Sequence, residues 1–89
     1  MTHTEKWEVE LFLDEHEGRT RAEARLHTRD ATHLKGVGFA NRNPKDQEVP
    51  EIGAELAVAR ALSELAHELL QATADDIAAS VRRPVSLAR

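Results

Sequence analysis

Ala54-Glu55-Leu56-Ala57-Val58-Ala59-Arg60-Ala61-Leu62-Ser63-Glu64-Leu65-Ala66-His67-Glu68-Leu69-Leu70-Gln71-Ala72 is the stretch on which the fold turns. Wound at about 100° per residue, it sets Arg60, Glu64, His67, Glu68 and Gln71 along one narrow polar side, with Val58, Leu62, Leu65, Ala66, Leu69 and Leu70 opposite. Leu56, Ala59, Ala61 and Ala72 widen the apolar part to well over half the circumference. One sheet shields a stripe of only roughly 100° on such a helix, so a second contact surface is expected. Either another copy of the chain or a terminal segment folding back could supply it. The homodimer is favoured, with Leu56, Val58, Leu62, Leu65, Leu69 and Leu70 as its interface.

Upstream of this helix the period falls to two. Trp7, Val9, Leu11 and Leu13 alternate with Lys6, Glu8, Glu10 and Phe12, which predicts a strand over residues 6–13 with one face buried. Asp14 to Gly18 is polar, and Gly18 can take the positive φ that a hairpin reversal needs. Thr20, Ala22, Ala24 and Leu26 then alternate with Arg19, Arg21, Glu23, Arg25 and His27, a second strand over about 19–28. Arg29, Asp30 and Ala31 make a second turn, and residues 34–41 a third strand. Gly36 and Gly38 share one face of that strand. Either a helix or backbone comes close there, or the strand carries a bulge. Asn43-Pro44 and Val49-Pro50 end the strand and precede the helix.

Downstream, Thr73 with Asp76 three residues later reads as an N-cap that opens a second short helix through Ile77 and Val81, closed by Arg82-Arg83-Pro84. The expected fold is therefore α+β: a three-stranded antiparallel meander followed by one long and one short helix, in the order β-β-β-α-α. Residues 6–85 form the single domain, with short tails at 1–5, expected to be disordered, and at 86–89.

Composition limits what such a domain can do. Of 89 residues fourteen are Ala, and Leu, Ile, Val and Phe together number only twenty, so the core is thin. A domain of this size usually leans on a disulfide, a metal or a partner subunit. Cysteine is absent, which excludes disulfides and thiolate zinc sites. The net charge of −4 disfavours nucleic-acid binding through the overall field, leaving only a local basic patch. No apolar run approaches a membrane span or a signal sequence, and a cytoplasmic protein is expected.

Candidate chemistry is sparse. Asp14, Glu15, His16 and Glu17 point in different directions along a strand end, and the Glu64/His67 step lies on the most polar side of the helix, so neither is expected to hold a metal. Ser63, Ser80 and Ser86 lack a nucleophile elbow, and Gly36-Val37-Gly38 leads into no helix. No catalytic residue, cofactor or small-molecule substrate is expected. Strand two is the most distinctive surface, because Arg19, Arg21 and Arg25 project from one face. They could follow a phosphate backbone, helped by Arg82 and Arg83, or pair with Glu8, Glu10 and Glu23 in a ladder on a wet sheet face; the ladder is favoured.

Several stretches carry a likeness. Asp14-Glu15-His16-Glu17-Gly18, Thr20-Arg21-Ala22, Gly36-Val37-Gly38, Asn43-Pro44 and the run from Val49 to Ser63 resemble a family of small actinobacterial proteins of unassigned function that includes mycobacterial dormancy-associated members. The resemblance spans about residues 6–85. It implies a double-stranded-RNA-binding-like fold in an intertwined homodimer, similar in shape to ribosome hibernation-promoting factors. The role so implied is non-enzymatic adaptation to stress or dormancy by binding the ribosome or structured RNA. The alternative is a protein–protein interaction module that uses its open sheet face or edge and binds no nucleic acid.

Overall fold

In the computed structural model, which describes residues 3–29, 33–41 and 50–81, three strands and one helix follow one another: β1 (Glu8–His16), β2 (Arg19–His27), β3 (Lys35–Asn41) and α1 (Pro50–Val81). The sheet is an antiparallel meander in the order β1-β2-β3. Its first hairpin closes through Glu17 and Gly18 with φ of 51° and 77°. Two consecutive positive values define the type I′ turn whose twist matches that of the strands. β1 therefore runs three residues beyond the expected end at Leu13, and His16 pairs directly with Arg19.

The register assigns every side chain to a face. Val9, Leu11 and Leu13 stand opposite Leu26, Ala24 and Ala22, which stand in turn beside Gly36 and Gly38. On this face α1 lies across β3 and β2 and scarcely touches β1. Ala22, Ala24, Leu26, Ala40, Ala57, Ala61 and Leu65 make the buried cluster, with Leu34, Val58 and Leu69 against it. The helix sits where it does because the strands offer no side chains to hold it off. A Cβ on Gly36 would collide with the Ala61 carbonyl oxygen and would lie 2.9 Å from Leu65 Cα. One on Gly38 would strike the Ala57 carbonyl oxygen and the Ala61 nitrogen. Gly36 and Gly38 thus admit the helix backbone itself, and the bulge alternative falls.

Two expectations are corrected. Among the described residues there is one helix, not two: α1 runs unbroken for 32 residues. Thr73 caps nothing, because its hydroxyl donates to the Leu69 carbonyl one turn back at 2.8 Å, and Gln71 reaches Asp75 at 3.1 Å. Both interactions belong inside a helix. The start also moves forward to Pro50, whose missing N–H costs nothing in a first turn. Second, β1 alternates as expected but buries neither face: every residue from Glu8 to His16 is exposed, Leu11 at 41%. The small residues of β2 and β3 draw the helix to their side of the sheet. The expected closing sequence Arg82-Arg83-Pro84 and the tail 86–89 lie outside the described residues.

Replacing Gly38 with Val should cost about 3 kcal/mol in chemical denaturation, because the added carbons meet helix backbone that cannot turn aside. A near-neutral result would mean that the helix does not rest on β3.

Candidate functional site

Two surfaces of the sheet remain uncovered by α1, and they differ in chemistry. The first is the helix-free face. Period-two geometry brings Glu8, Glu10, Phe12, Asp14 and His16 of β1 to it, together with Arg19, Arg21, Glu23, Arg25 and His27 of β2 and Lys35, Val37 and Phe39 of β3. Arg19, Arg21 and Arg25 do share this face, as their spacing requires, but they are engaged. Glu23 lies between the last two, accepting from Arg21 Nη2 at 2.8 Å and from Arg25 Nε. The Arg25 guanidinium also stacks 4.2 Å from the Phe12 ring centre, and that of Arg19 lies 4.0 Å from Phe39.

This is a mesh running along β2 instead of the cross-strand ladder expected. Glu8 pairs with Lys6 at 3.4 Å and Glu10 with His27, leaving Arg21 and Arg25 to Glu23. Only 5% of Glu23 remains exposed. Hydrogen bonds from Arg21 and then Arg25 hold its carboxyl at about 2, below the ordinary 4.5, against an opposing desolvation effect. Phe39 and Lys35 belong to the same surface, although residues 34–41 read only as a strand of mixed apolar character. What signals them is the register, which places Phe39 beside Arg21 and Lys35 beside Arg25. Arg82 and Arg83, the other basic candidates, lie outside the described residues.

The second surface is on the helix side. Val9, Leu11 and Leu13 form an exposed apolar row on β1, with exposed Trp7 just before it. Arg60 sits over the β3 edge, so the flank of α1 turned away from that edge is the one that carries Val58, Leu62 and Leu69, beside the sheet-seated line Ala57, Ala61, Leu65. Leu62 is 41% exposed, and Val58 and Leu69 are half-buried. The six residues expected at a dimer interface divide by position. Leu65 is buried against Gly36, Leu56 lies exposed on the opposite flank with Arg60, and Leu70 is half-buried.

Among the described residues no three His, Asp or Glu side chains converge on a site for a metal ion, and no helix is long and apolar enough to cross a membrane. An open cleft of about 350 Å³ at the start of β1 is lined by Glu5, Lys6, Glu8, His27 and Arg29 among others.

A β-meander backed by a single helix, with a charged face and an apolar flank both open, defines a small α+β protein whose exposed features are surfaces. The chain belongs to the Rv2632c-like family, whose model matches residues 5–86. It is 52% identical over 81 residues to Mb1767, an uncharacterized protein of Mycobacterium bovis, covering 91% of this chain and 85% of that relative. With Rv2632c of Mycobacterium tuberculosis, also uncharacterized, it shares 46% over 79 residues, covering 89% of this chain and 84% of the other. The crystal structure of Rv2632c superposes with a TM-score of 0.82 at 42% identity, covering 93% of this chain and 98% of that one.

Glu23 gives the charged face a signature in pH. Because its folded pKa is depressed, the stability it contributes is present above the unfolded value near 4.5 and is lost as pH falls toward about 2. Denaturation midpoints of the protein should drop across that window, whereas Glu23→Gln should flatten that part of the profile. Equal slopes for the two proteins would place the arginines elsewhere.

Proposed function

We propose that the protein is a non-enzymatic interaction module that works as a homodimer, a second copy covering the apolar row of β1 and the adjoining flank of α1. The observation that carries this is the exposed row Val9, Leu11 and Leu13 of β1, with Trp7 just before it, together with the exposed Leu62 of α1. Large apolar side chains gathered in one exposed place mark contact surfaces in soluble proteins. A stable interface needs about 800 Å² from each partner, and both the β1 row and the exposed Leu62 lie open to supply it.

The occupant is a second copy because the thin core calls for one. Among the described residues seven make the buried cluster, five of them Ala, and no disulfide is available. In such a domain subunit contact contributes stability that the monomer lacks. Light scattering should give twice the monomer mass at micromolar concentration, and both Leu62→Asp and Leu11→Glu should reduce it to one. Leu11 is on β1 and touches the core little, so a folded monomeric Leu11→Glu variant separates loss of assembly from loss of folding. A folded wild-type monomer at high concentration would sink the reading.

A second reading takes the helix-free face as a seat for structured RNA or the ribosome, in line with the double-stranded-RNA-binding-like shape and the stress or dormancy role that the resemblance implies. The alignment of Arg19, Arg21 and Arg25 beside two exposed aromatic rings favours it. Against it, Glu23 and the rings occupy the guanidinium groups, and Glu8, Glu10 and Asp14 share the face. Co-sedimentation with ribosomes decides. RNA binding requires the protein in the pellet at about 50 mM salt and its steep loss by about 150 mM. Arg19→Ala with Arg25→Ala should remove that binding; absence from the pellet at every salt concentration excludes this reading.

A further inference from the structure

The two edges of the sheet are not equivalent. Leu26 N–H donates to the Leu34 carbonyl at 3.0 Å, so the even-numbered residues of β2 turn their backbone groups toward β3 and the odd-numbered ones toward β1. With the observed pairing, Glu8, Glu10, Phe12, Asp14 and His16 of β1 bond to β2, whereas Val9, Leu11, Leu13 and Glu15 present their N–H and C=O groups to the free edge. On β3 the outward groups are those of Lys35, Val37 and Phe39. There the helix intervenes: Arg60 reaches over the edge and donates from Nη1 to the Phe39 carbonyl at 2.6 Å. One edge carries a guanidinium cap, and the other, among the described residues, keeps a row of unpaired donors and acceptors.

The side chains of the open edge alternate sharply. Toward the helix side stand Val9, Leu11 and Leu13; toward the other stand Glu8, Glu10 and Asp14. Four of the nine residues of β1, Glu8, Glu10, Asp14 and Glu15, are acidic and none is Lys or Arg, so this one edge carries −4, as much as the net charge of the whole chain. Two copies of β1 paired antiparallel would meet acid to acid. Centred on Leu11, for instance, such a pair sets Glu8 opposite Asp14 and brings Glu10 into the same row.

We infer that the β1 edge takes up an extended segment of a different chain, one alternating apolar residues with Lys or Arg, as an added fourth strand. Its backbone would bond to Val9, Leu11, Leu13 and Glu15. Its apolar side chains would continue the row on the helix side, and its basic ones would lie beside Glu8, Glu10 and Asp14. This goes beyond the dimer, which uses the face of β1 and not its hydrogen-bonding edge.

The test uses the full chain, labelled with nitrogen-15, and two acetylated, amidated heptapeptides alternating Lys with Val or Glu with Val. The basic peptide should slow amide exchange at Val9, Leu11 and Leu13 by about tenfold or more and leave Val37 and Phe39 unchanged, while the acidic one should do neither. Glu8→Lys combined with Asp14→Lys should shift the preference toward the acidic peptide. Leu11→Pro should abolish protection while the Phe12 and Glu23 amides, which face each other across β1 and β2, stay protected. Protection by neither peptide, or equal protection by both, overturns the inference. So does protection of Val9, Leu11 and Leu13 in the protein alone that grows with its concentration, since the occupant would then be a second copy. Light scattering without peptide tests the dimer separately, so the two readings fail independently.

Discussion

The close seating of α1 on the glycine face of β3 is the constraint from which the other features follow. Gly36 and Gly38 give the backbone around Ala57, Ala61 and Leu65 a place to rest that no residue with a Cβ would leave open. Ala22 and Ala24 extend that low ground onto β2. Close approach raises dispersion contact per residue, which matters in a core whose members are mostly Ala. It also fixes where the helix cannot be: lying over β3 and β2, it leaves the larger side chains of β1 bare.

The sheet's asymmetry is a consequence. The same lateral placement that uncovers β1 brings Arg60 to the far edge, where it occupies the Phe39 carbonyl. A helix centred on the sheet would have covered Leu11 and left both edges alike. The apolar flank and the open acidic edge are thus two results of one packing choice, not separate adaptations. On the opposite face, where no helix lies, order comes from polar groups: Glu23 is buried under two guanidinium groups and two aromatic rings carry stacked arginines. Such a mesh rigidifies a wet surface while reducing the positive field it projects.

Membership of the Rv2632c-like family and the superposition on Rv2632c agree with this architecture. The relatives compared are uncharacterized, so function is argued from surfaces. The two surfaces differ in what already occupies them: the apolar row of β1 is bare, whereas on the charged face Glu23 and two aromatic rings engage the arginines.

Local patterns made much of this legible. The alternation from Trp7 to Leu13 and from Arg19 to His27 shows strands, the Glu17-Gly18 region a reversal, and the run from Ala54 to Ala72 a helix with too broad an apolar surface for one sheet. The common face of Arg19, Arg21 and Arg25 follows from a period of two alone. Legibility ends where one element's placement depends on another's. Whether Thr73 caps a new helix or bonds back within the old one depends on the backbone conformation it inherits, and both are open to a Thr side chain. Whether Gly36 and Gly38 mark a bulge or a seat depends on what comes to rest there. Alternation tells which side of β1 is apolar but not whether anything covers it. Only the packed chain decides that, because a helix settles where side chains are smallest, and those residues belong to β2 and β3.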